Sequence, residues 1–237
     1  MDPGHRAGAN RTSISRGRAV QESSHGHYSP NASGRGGVHG SRINVALRLL
    51  GISGSLRRAS HSTALLHALA PLVAPGAQLN VMTLHGIPLY DADLDGDVPP
   101  DGVLAFKSAI AAADGLVVCS PEYNYGIPGV LKNAIDWASR PGFSSVFRGK
   151  PVLVITASPG ALGGVRAQVQ IRDAFAAVLA RPVVRQHLAI PAVHQKLFDG
   201  QLVDGMARQL VLEAVTDLLA EIELVQVQRA PELLPAH

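Results

Sequence analysis

Cysteine is nearly missing from this chain: Cys119 stands alone among 237 residues. One thiol cannot close an intramolecular disulfide, so a disulfide scaffold is excluded and a reducing, cytoplasmic setting is expected. Cys119 ends an apolar run and reads as a packing residue, because no second thiol is available to resolve an oxidised form. Long apolar runs are missing too. None approaches the ~18–20 residues of a membrane span, and the longest have strand length. No internal repeat is visible. Charge of one sign is scarce over most of the chain. Residues 1–42 hold Arg6, Arg11, Arg16, Arg18, Arg35 and Arg42 against Asp2 and Glu22, a balance of +4. The remainder carries 15 basic and 16 acidic side chains. It therefore offers no dedicated nucleic-acid surface.

Residues 1–42 also have almost no aliphatic content. Such a segment buries too little apolar area to offset its ordering entropy, and a disordered tail is expected. Its Arg- and Ser-rich composition superficially resembles a transit peptide, but it lacks an amphipathic apolar face. Asn10-Arg11-Thr12 and Asn31-Ala32-Ser33 fit the glycosylation pattern with no other sign of secretion. The tail's histidines are too dispersed for a metal site, and the tail is assigned no function.

A regular alternation runs over residues 43–226, which are expected to form one domain, with residues 227–237 a flexible tail. Val45–Ile52, Leu79–Leu84, Gly115–Cys119 and Pro151–Thr156 read as strands, and a fifth strand starts at Pro182-Val183-Val184. Ser62–Val73, Val103–Ala113, Val130–Trp137, Val165–Leu179 and Met206–Val225 read as helices. Five strands alternating with helices predict a doubly wound parallel sheet with helices on both faces. The loop with Asp91, Asp93, Asp95 and Asp97 lacks the Gly and final Glu of an EF-hand and reads as solvated.

Between the first strand and helix lies Gly51-Ile52-Ser53-Gly54-Ser55-Leu56-Arg57-Arg58-Ala59-Ser60-His61-Ser62. A strand, a small-residue turn and a helix start make an anion pocket, because the first helical amides lack partners and the dipole favours negative charge. Serine hydroxyls and an arginine fork suit a phosphate. The turn lacks the Lys-Ser/Thr of a P-loop, and it lacks the third glycine and later acidic residue of a dinucleotide fold. A mononucleotide phosphate is the expected guest.

Two more unusual loops follow strands. Ser120-Pro121-Glu122-Tyr123-Asn124-Tyr125-Gly126-Ile127-Pro128-Gly129 carries two of the four tyrosines, and Thr156-Ala157-Ser158-Pro159-Gly160-Ala161-Leu162-Gly163-Gly164 is poor in side chains. In an open parallel sheet, ligands sit at the carboxyl ends of the strands. A phosphate cradle, a polar edge with tyrosines and a glycine floor together suit flavin mononucleotide (FMN).

The segments Gly54-Ser55-Leu56-Arg57-Arg58-Ala59-Ser60, Pro121-Glu122-Tyr123-Asn124-Tyr125-Gly126, Leu131-Lys132-Asn133-Ala134-Ile135-Asp136-Trp137 and Gly163-Gly164 occur in this order. They resemble the NAD(P)H-dependent FMN reductase family, and within it the quinone and chromate reductases, over roughly residues 46–222. The resemblance implies a flavodoxin-like fold, bound FMN, NADPH or NADH as co-substrate, and a homodimer or homotetramer. It implies that Ser55, Arg57, Ser60 and Ser62 hold the phosphate, with Ser53 and Leu56 in the same turn. Pro121, Glu122, Tyr123, Asn124 and Tyr125 would border the ribityl chain and ring, and Ser158, Gly160, Gly163 and Gly164 the ring's other side. Ser62 stands where similar proteins usually carry Asn.

The function expected from this is hydride transfer from NAD(P)H through FMN to quinones, chromate-like oxyanions, azo compounds or free flavin, in ping-pong order and without a catalytic side chain. The alternatives are a non-enzymatic flavodoxin-type electron carrier or an FMN-holding redox sensor. A carrier calls for an acidic docking surface, which the near-neutral domain lacks. Lys132 and Asp136 read as a surface pair, Trp137 and Arg140 as packing or subunit-contact residues. His85, His187 and His194 have no metal-ligand spacing.

Overall fold

The computed structural model describes residues 46–74 and 76–229. The expected tail over residues 1–42 and the last residues of the chain lie outside that range. The described part is a parallel sheet covered by helices on both faces. Its elements are β1 (Leu47–Ser53), α1 (His61–Val73), β2 (Ala77–Thr83), α2 (Asp101–Ala112), β3 (Gly115–Ser120), α3 (Gly129–Ala138), β4 (Pro151–Ala157), α4 (Val165–Ala177), β5 (Arg181–Pro182), β6 (Leu188–Ile190), β7 (Leu197–Phe198), β8 (Gln201–Leu202) and α5 (Gly205–Arg229). The strand order is β2-β1-β3-β4-β5, with β6 also beside β4. Every pairing in this sheet is parallel. This is the flavodoxin-like order, and strand order reverses between β1 and β3.

Alternation explains why both faces are covered. Leu49, Val117, Cys119, Leu153 and Ile155 face one side, where Leu65 and Leu69 of α1 and Val211 and Leu218 of α5 close over them. Their neighbours Leu50, Ile52, Leu116, Val118, Val152 and Val154 face the other side, against Phe106, Ile110, Leu131, Ile171 and Phe175. Strands apolar at every position can only be buried on both sides, which is what β3 and β4 are throughout. Cys119 is fully buried, and burial pushes its thiol pKa up to about 12. The thiol is thus inert packing, as expected.

The fifth strand differs from expectation. It is split: Arg181–Pro182 pairs with the start of β4, and the chain returns only at Leu188 to pair with its end. After the Val183 amide bonds to the Val152 carbonyl (2.9 Å), the edge turns outward and Val184 is exposed. Arg172 of α4 donates to the Val183 carbonyl (2.8 Å) in place of a strand partner. The short β7–β8 hairpin was not foreseen. The last helix extends to Arg229, so residues 227–229 are helical.

Trp137 is fully buried and its indole N–H donates to the Pro88 carbonyl (2.8 Å). Asn133, one turn earlier on α3, donates to the same carbonyl and accepts from the Tyr90 amide (2.7 Å). Tyr90 meets Trp137 edge-on at 4.9 Å, and the Arg140 guanidinium lies over the Tyr90 ring, 5.5 Å from its centroid. These residues fasten the loop before α2 to α3, the packing role expected of Trp137 and Arg140.

Candidate functional site

The register aligns the strand ends: Ser53 lies opposite Thr83 on one side and Cys119 on the other, and Ser120 lies opposite Thr156. All three unusual loops therefore leave the sheet on one rim, next to the β1/β3 reversal. The Gly54 amide donates to the Cys119 carbonyl (2.8 Å), prolonging the pairing by one residue. A Cβ at Gly54 would collide with the Ser120 hydroxyl and lie 2.9 Å from its Cβ. Glycine is required there by close approach.

One cleft on this rim is lined by Ser55, Arg57, Ser60, His61, Ser62, Pro121, Glu122, Tyr123, Ala157, Ser158 and Pro159. The three serines of the first loop are buried, and Arg57 is exposed at its mouth. Ser60 caps α1, its hydroxyl accepting from the Thr63 amide (3.2 Å), while the Ala64 amide bonds to the Ser60 carbonyl. The amides of His61 and Ser62, ahead of these, are first-turn donors for which a helix supplies no internal acceptor. The Ser55 hydroxyl accepts from the Arg57 amide (3.3 Å), and the Leu56 carbonyl bonds to His85 Nε2 (3.1 Å). His85, at the end of β2, thus braces the turn.

Ser53 departs from expectation. It is fully buried beneath the turn, and its hydroxyl shares a hydrogen bond with Thr63 Oγ1 (2.8 Å). As the last residue of β1 it faces α1 rather than the cleft.

The second loop is a tight hairpin. Tyr123 and Gly126 exchange both backbone hydrogen bonds (3.1 and 3.0 Å), and the residues between them, Asn124 (φ 49°) and Tyr125 (φ 64°), are both left-handed. Two left-handed central residues make a type I′ turn, which Asn tolerates and Tyr does not favour. The turn is held from α4: the Arg166 guanidinium lies 4.1 Å from the Tyr125 ring centroid, and Gln170 accepts from the Ile127 amide (3.1 Å). Asn124 and Tyr125 form the hairpin tip outside the cleft lining, and Tyr123 and Tyr125 are exposed.

Glu122 joins the second and third loops. The residue preceding α4 is Gly164, which has no side chain to cap the helix; the Glu122 carboxylate accepts from the Arg166 (2.8 Å) and Ala167 (3.1 Å) amides instead. Gly163 and Gly164 have φ of 61° and 83°. A Cβ at Gly163 would lie 2.8 Å from the Pro191 nitrogen, and one at Gly164 would press on Thr156 and Glu122. These glycines pack the loop onto the sheet end. Gly160 donates to the Ser158 hydroxyl (3.1 Å) in a local turn.

His61, Ala157 and Pro159 line the cleft without having been picked out from the sequence. For His61 the signal was present: it is the first residue after the capping serine. Among the described residues, no cluster of His, Cys, Asp or Glu is arranged to hold a metal ion. No described helix is long and apolar enough to cross a membrane.

The donor set fits an FMN phosphate by its chemistry. Buried hydroxyls, two first-turn amides and a guanidinium converge, and the bordering carboxylate is already committed to α4. Residues 47–195 match the family model described as NADPH-dependent FMN reductase. An NAD(P)H-dependent FMN reductase of Pseudomonas aeruginosa is 41% identical over 174 residues, covering 73% of this chain and 93% of that one. A 2-hydroxy-1,4-benzoquinone reductase from Burkholderia sp is 47% identical over 132 residues, 56% of this chain and 72% of that one. Among solved structures, the flavoenzyme NAD(P)H:(acceptor) oxidoreductase FerB of Paracoccus denitrificans superposes with a TM-score of 0.64 at 29% identity. It covers 76% of this chain and 98% of its own.

Proposed function

Because the chain belongs to the NADPH-dependent FMN reductase family, we propose that this oxidoreductase passes reducing equivalents from NAD(P)H to quinones, with its first loop holding FMN by the phosphate. When bound, FMN supplies the hydride-accepting and hydride-donating chemistry, and the protein supplies position and access. Ser55, Ser60 and Ser62 donate to the phosphate together with the His61 and Ser62 amides, and Arg57 closes the mouth as a charged fork. Pro121, Glu122 and Tyr123 form one wall of the cleft, and Ala157, Ser158 and Pro159 the other. The Asn124-Tyr125 tip and the Gly160, Gly163 and Gly164 backbone hold these walls in place. No side chain is assigned a proton-transfer role.

The observation that carries this reading is the convergence of three buried hydroxyls and Arg57 in one cleft at the strand-order reversal. NAD(P)H and the acceptor use the same opening in turn, so kinetics of ping-pong form are expected. Quinones are the first choice of acceptor because relatives named for quinone reduction match over most of the domain. Chromate-like oxyanions, azo compounds and free flavin are further candidates for the same opening. The exposed Tyr123, Tyr125, Leu162 and Val169 near the rim support assembly into a homodimer or homotetramer. The single buried thiol supports a cytoplasmic location.

The test is anaerobic titration of the FMN-loaded protein with NADH and with NADPH, followed by a panel of acceptors. Bleaching of the yellow colour and its return on adding a quinone are expected. A flavin that neither nucleotide bleaches would overturn the enzymatic reading in favour of a carrier or sensor.

A further inference from the structure

His61 stands between two cavities. On one side it lines the cleft with Ser55, Arg57, Ser60 and Ser62. On the other it lines an outer hollow of about 510 Å³ with Arg58, Ser60, Thr63 and His67. It is half-buried, at the first position of α1, where the helix dipole opposes a positive side chain. The charged and titratable groups around it are nearly all basic: Arg57 and Arg58 from the turn, His67 further along α1, and His194 from the 3-10 turn Val193–Gln195. The acidic side chain bordering the cleft, Glu122, has its carboxylate bound to the α4 amides.

We propose that His61 is a phosphate-binding residue that takes up a proton as the cofactor's phosphate enters, making cofactor retention depend on pH. The inference rests on the reading that the first loop holds this phosphate. Burial lowers the His61 pKa from its ordinary 6.5, and Arg57 and His194 lower it further. The neutral ring is thus favoured near neutrality. A phosphate monoester carries about 1.5–2 negative charges at neutral pH. Seated among these groups, it reverses the local balance and favours the imidazolium, which gains a charged N–H donor toward it. Linkage fixes the sign. If the bound-state pKa is higher than the free-state pKa, affinity is greatest below the free value and declines as pH rises through the bound value. Riboflavin has the same ring system without phosphate and lacks this coupling.

The experiment is an NMR pH titration of the histidine rings in the full chain, alone, with FMN and with riboflavin, His61 being assigned by comparison with His61→Gln. FMN is expected to raise the His61 pKa by about one unit or more, equivalent to about a tenfold coupling in affinity; riboflavin is expected to leave it in place. By fluorescence quenching, His61→Gln should bind FMN about tenfold more weakly at acid pH, the gap closing as pH rises, and bind riboflavin as the wild type does. The ester's own ionisation near pH ~6 remains in the variant, so the difference between the two proteins isolates His61. Should His61→Gln fold poorly, His61→Asn serves for assignment, and the wild-type titration alone decides. FMN binding with an unmoved His61, or an equal rise with riboflavin, overturns this inference only. Failure of both flavins to bind overturns the phosphate-loop reading along with it.

Discussion

The two ends of the sheet are built from the same strands and treat their polar groups in opposite ways. At the amino end, donors and acceptors are matched within the protein. The Arg48 amide donates to Asp114 Oδ2 (2.7 Å), and the Asp114 amide donates back to the Arg48 carbonyl (2.7 Å). Lys150 reaches the terminal carbonyls of α2 at Ala111 and Ala113, and Arg181 pairs with Glu221 at 2.6 Å. At the carboxyl end, first-turn amides, buried serines and Arg57 face a cleft. At the amino end the pairing closes within the fold; at the carboxyl end the serine hydroxyls accept from local amides and the first-turn amides of α1 have no helical acceptor. A guest that binds only the folded chain stabilises it by mass action, so the carboxyl end is expected to gain stability when its guest binds.

Substitutions at the two ends should therefore separate stability from cofactor affinity. The largest effect is expected for Arg57→Ala. Loss of a charged hydrogen-bonding partner should weaken FMN binding by about 10–100-fold, while denaturant unfolding of the cofactor-free protein shifts by less than about 0.5 kcal/mol. Comparable losses of both properties would erase the distinction. Asp114→Ala should do the reverse: about 1–2 kcal/mol of stability lost as the Arg48 amide loses its acceptor, with FMN affinity unchanged by fluorescence titration. Ser60→Ala should straddle the two, losing about 1 kcal/mol of helix capping together with part of the FMN affinity.

The effect of pH at the amino end should be smaller. Burial, and after it Arg229, lower the Lys150 pKa from its ordinary 10.5; Asp114 partly offsets them. The unfolded chain then holds a proton that the folded chain has lost, so stability rises with pH between the lowered value and 10.5. Lys150→Met should flatten that rise in unfolding experiments at alkaline pH. The smallest effect is expected for Lys132→Ala, whose i,i+4 pair with Asp136 (2.7 Å) is exposed. Its loss should cost about 0.3–0.5 kcal/mol and leave flavin binding alone.

Most of the architecture was legible in the sequence, because strands buried on both faces leave unbroken apolar runs and helices leave a 3.6-residue period. The doubly wound class, the five helices and the placement of three loops on one rim followed from that. The split at Val184 was not legible, since a run of valines gives no sign that the chain leaves the sheet there and that the Val183 carbonyl accepts from the Arg172 guanidinium instead of a strand partner. The cleft was legible as residue types but not as roles. Ser53 and Ser55 are alike in sequence, yet Ser53 ends β1 and bonds to Thr63, while Ser55 lies in the turn beyond the strand and lines the cleft. Glu122 gave no sign that it caps a helix 44 residues later, because that need arises from Gly164. His61 has no metal-ligand spacing, and its place in the cleft follows only from its position directly after the capping Ser60.

The contact between Gly54 and Ser120 has a consequence for how this chain can vary. A methyl at position 54 would meet not only the hydroxyl and Cβ of residue 120 but also its Cα, at 3.1 Å. Shortening position 120 to alanine leaves the Cβ contact, and glycine there still leaves the Cα within 3.1 Å, so the backbone has to give by a few tenths of an ångström before position 54 can carry a side chain.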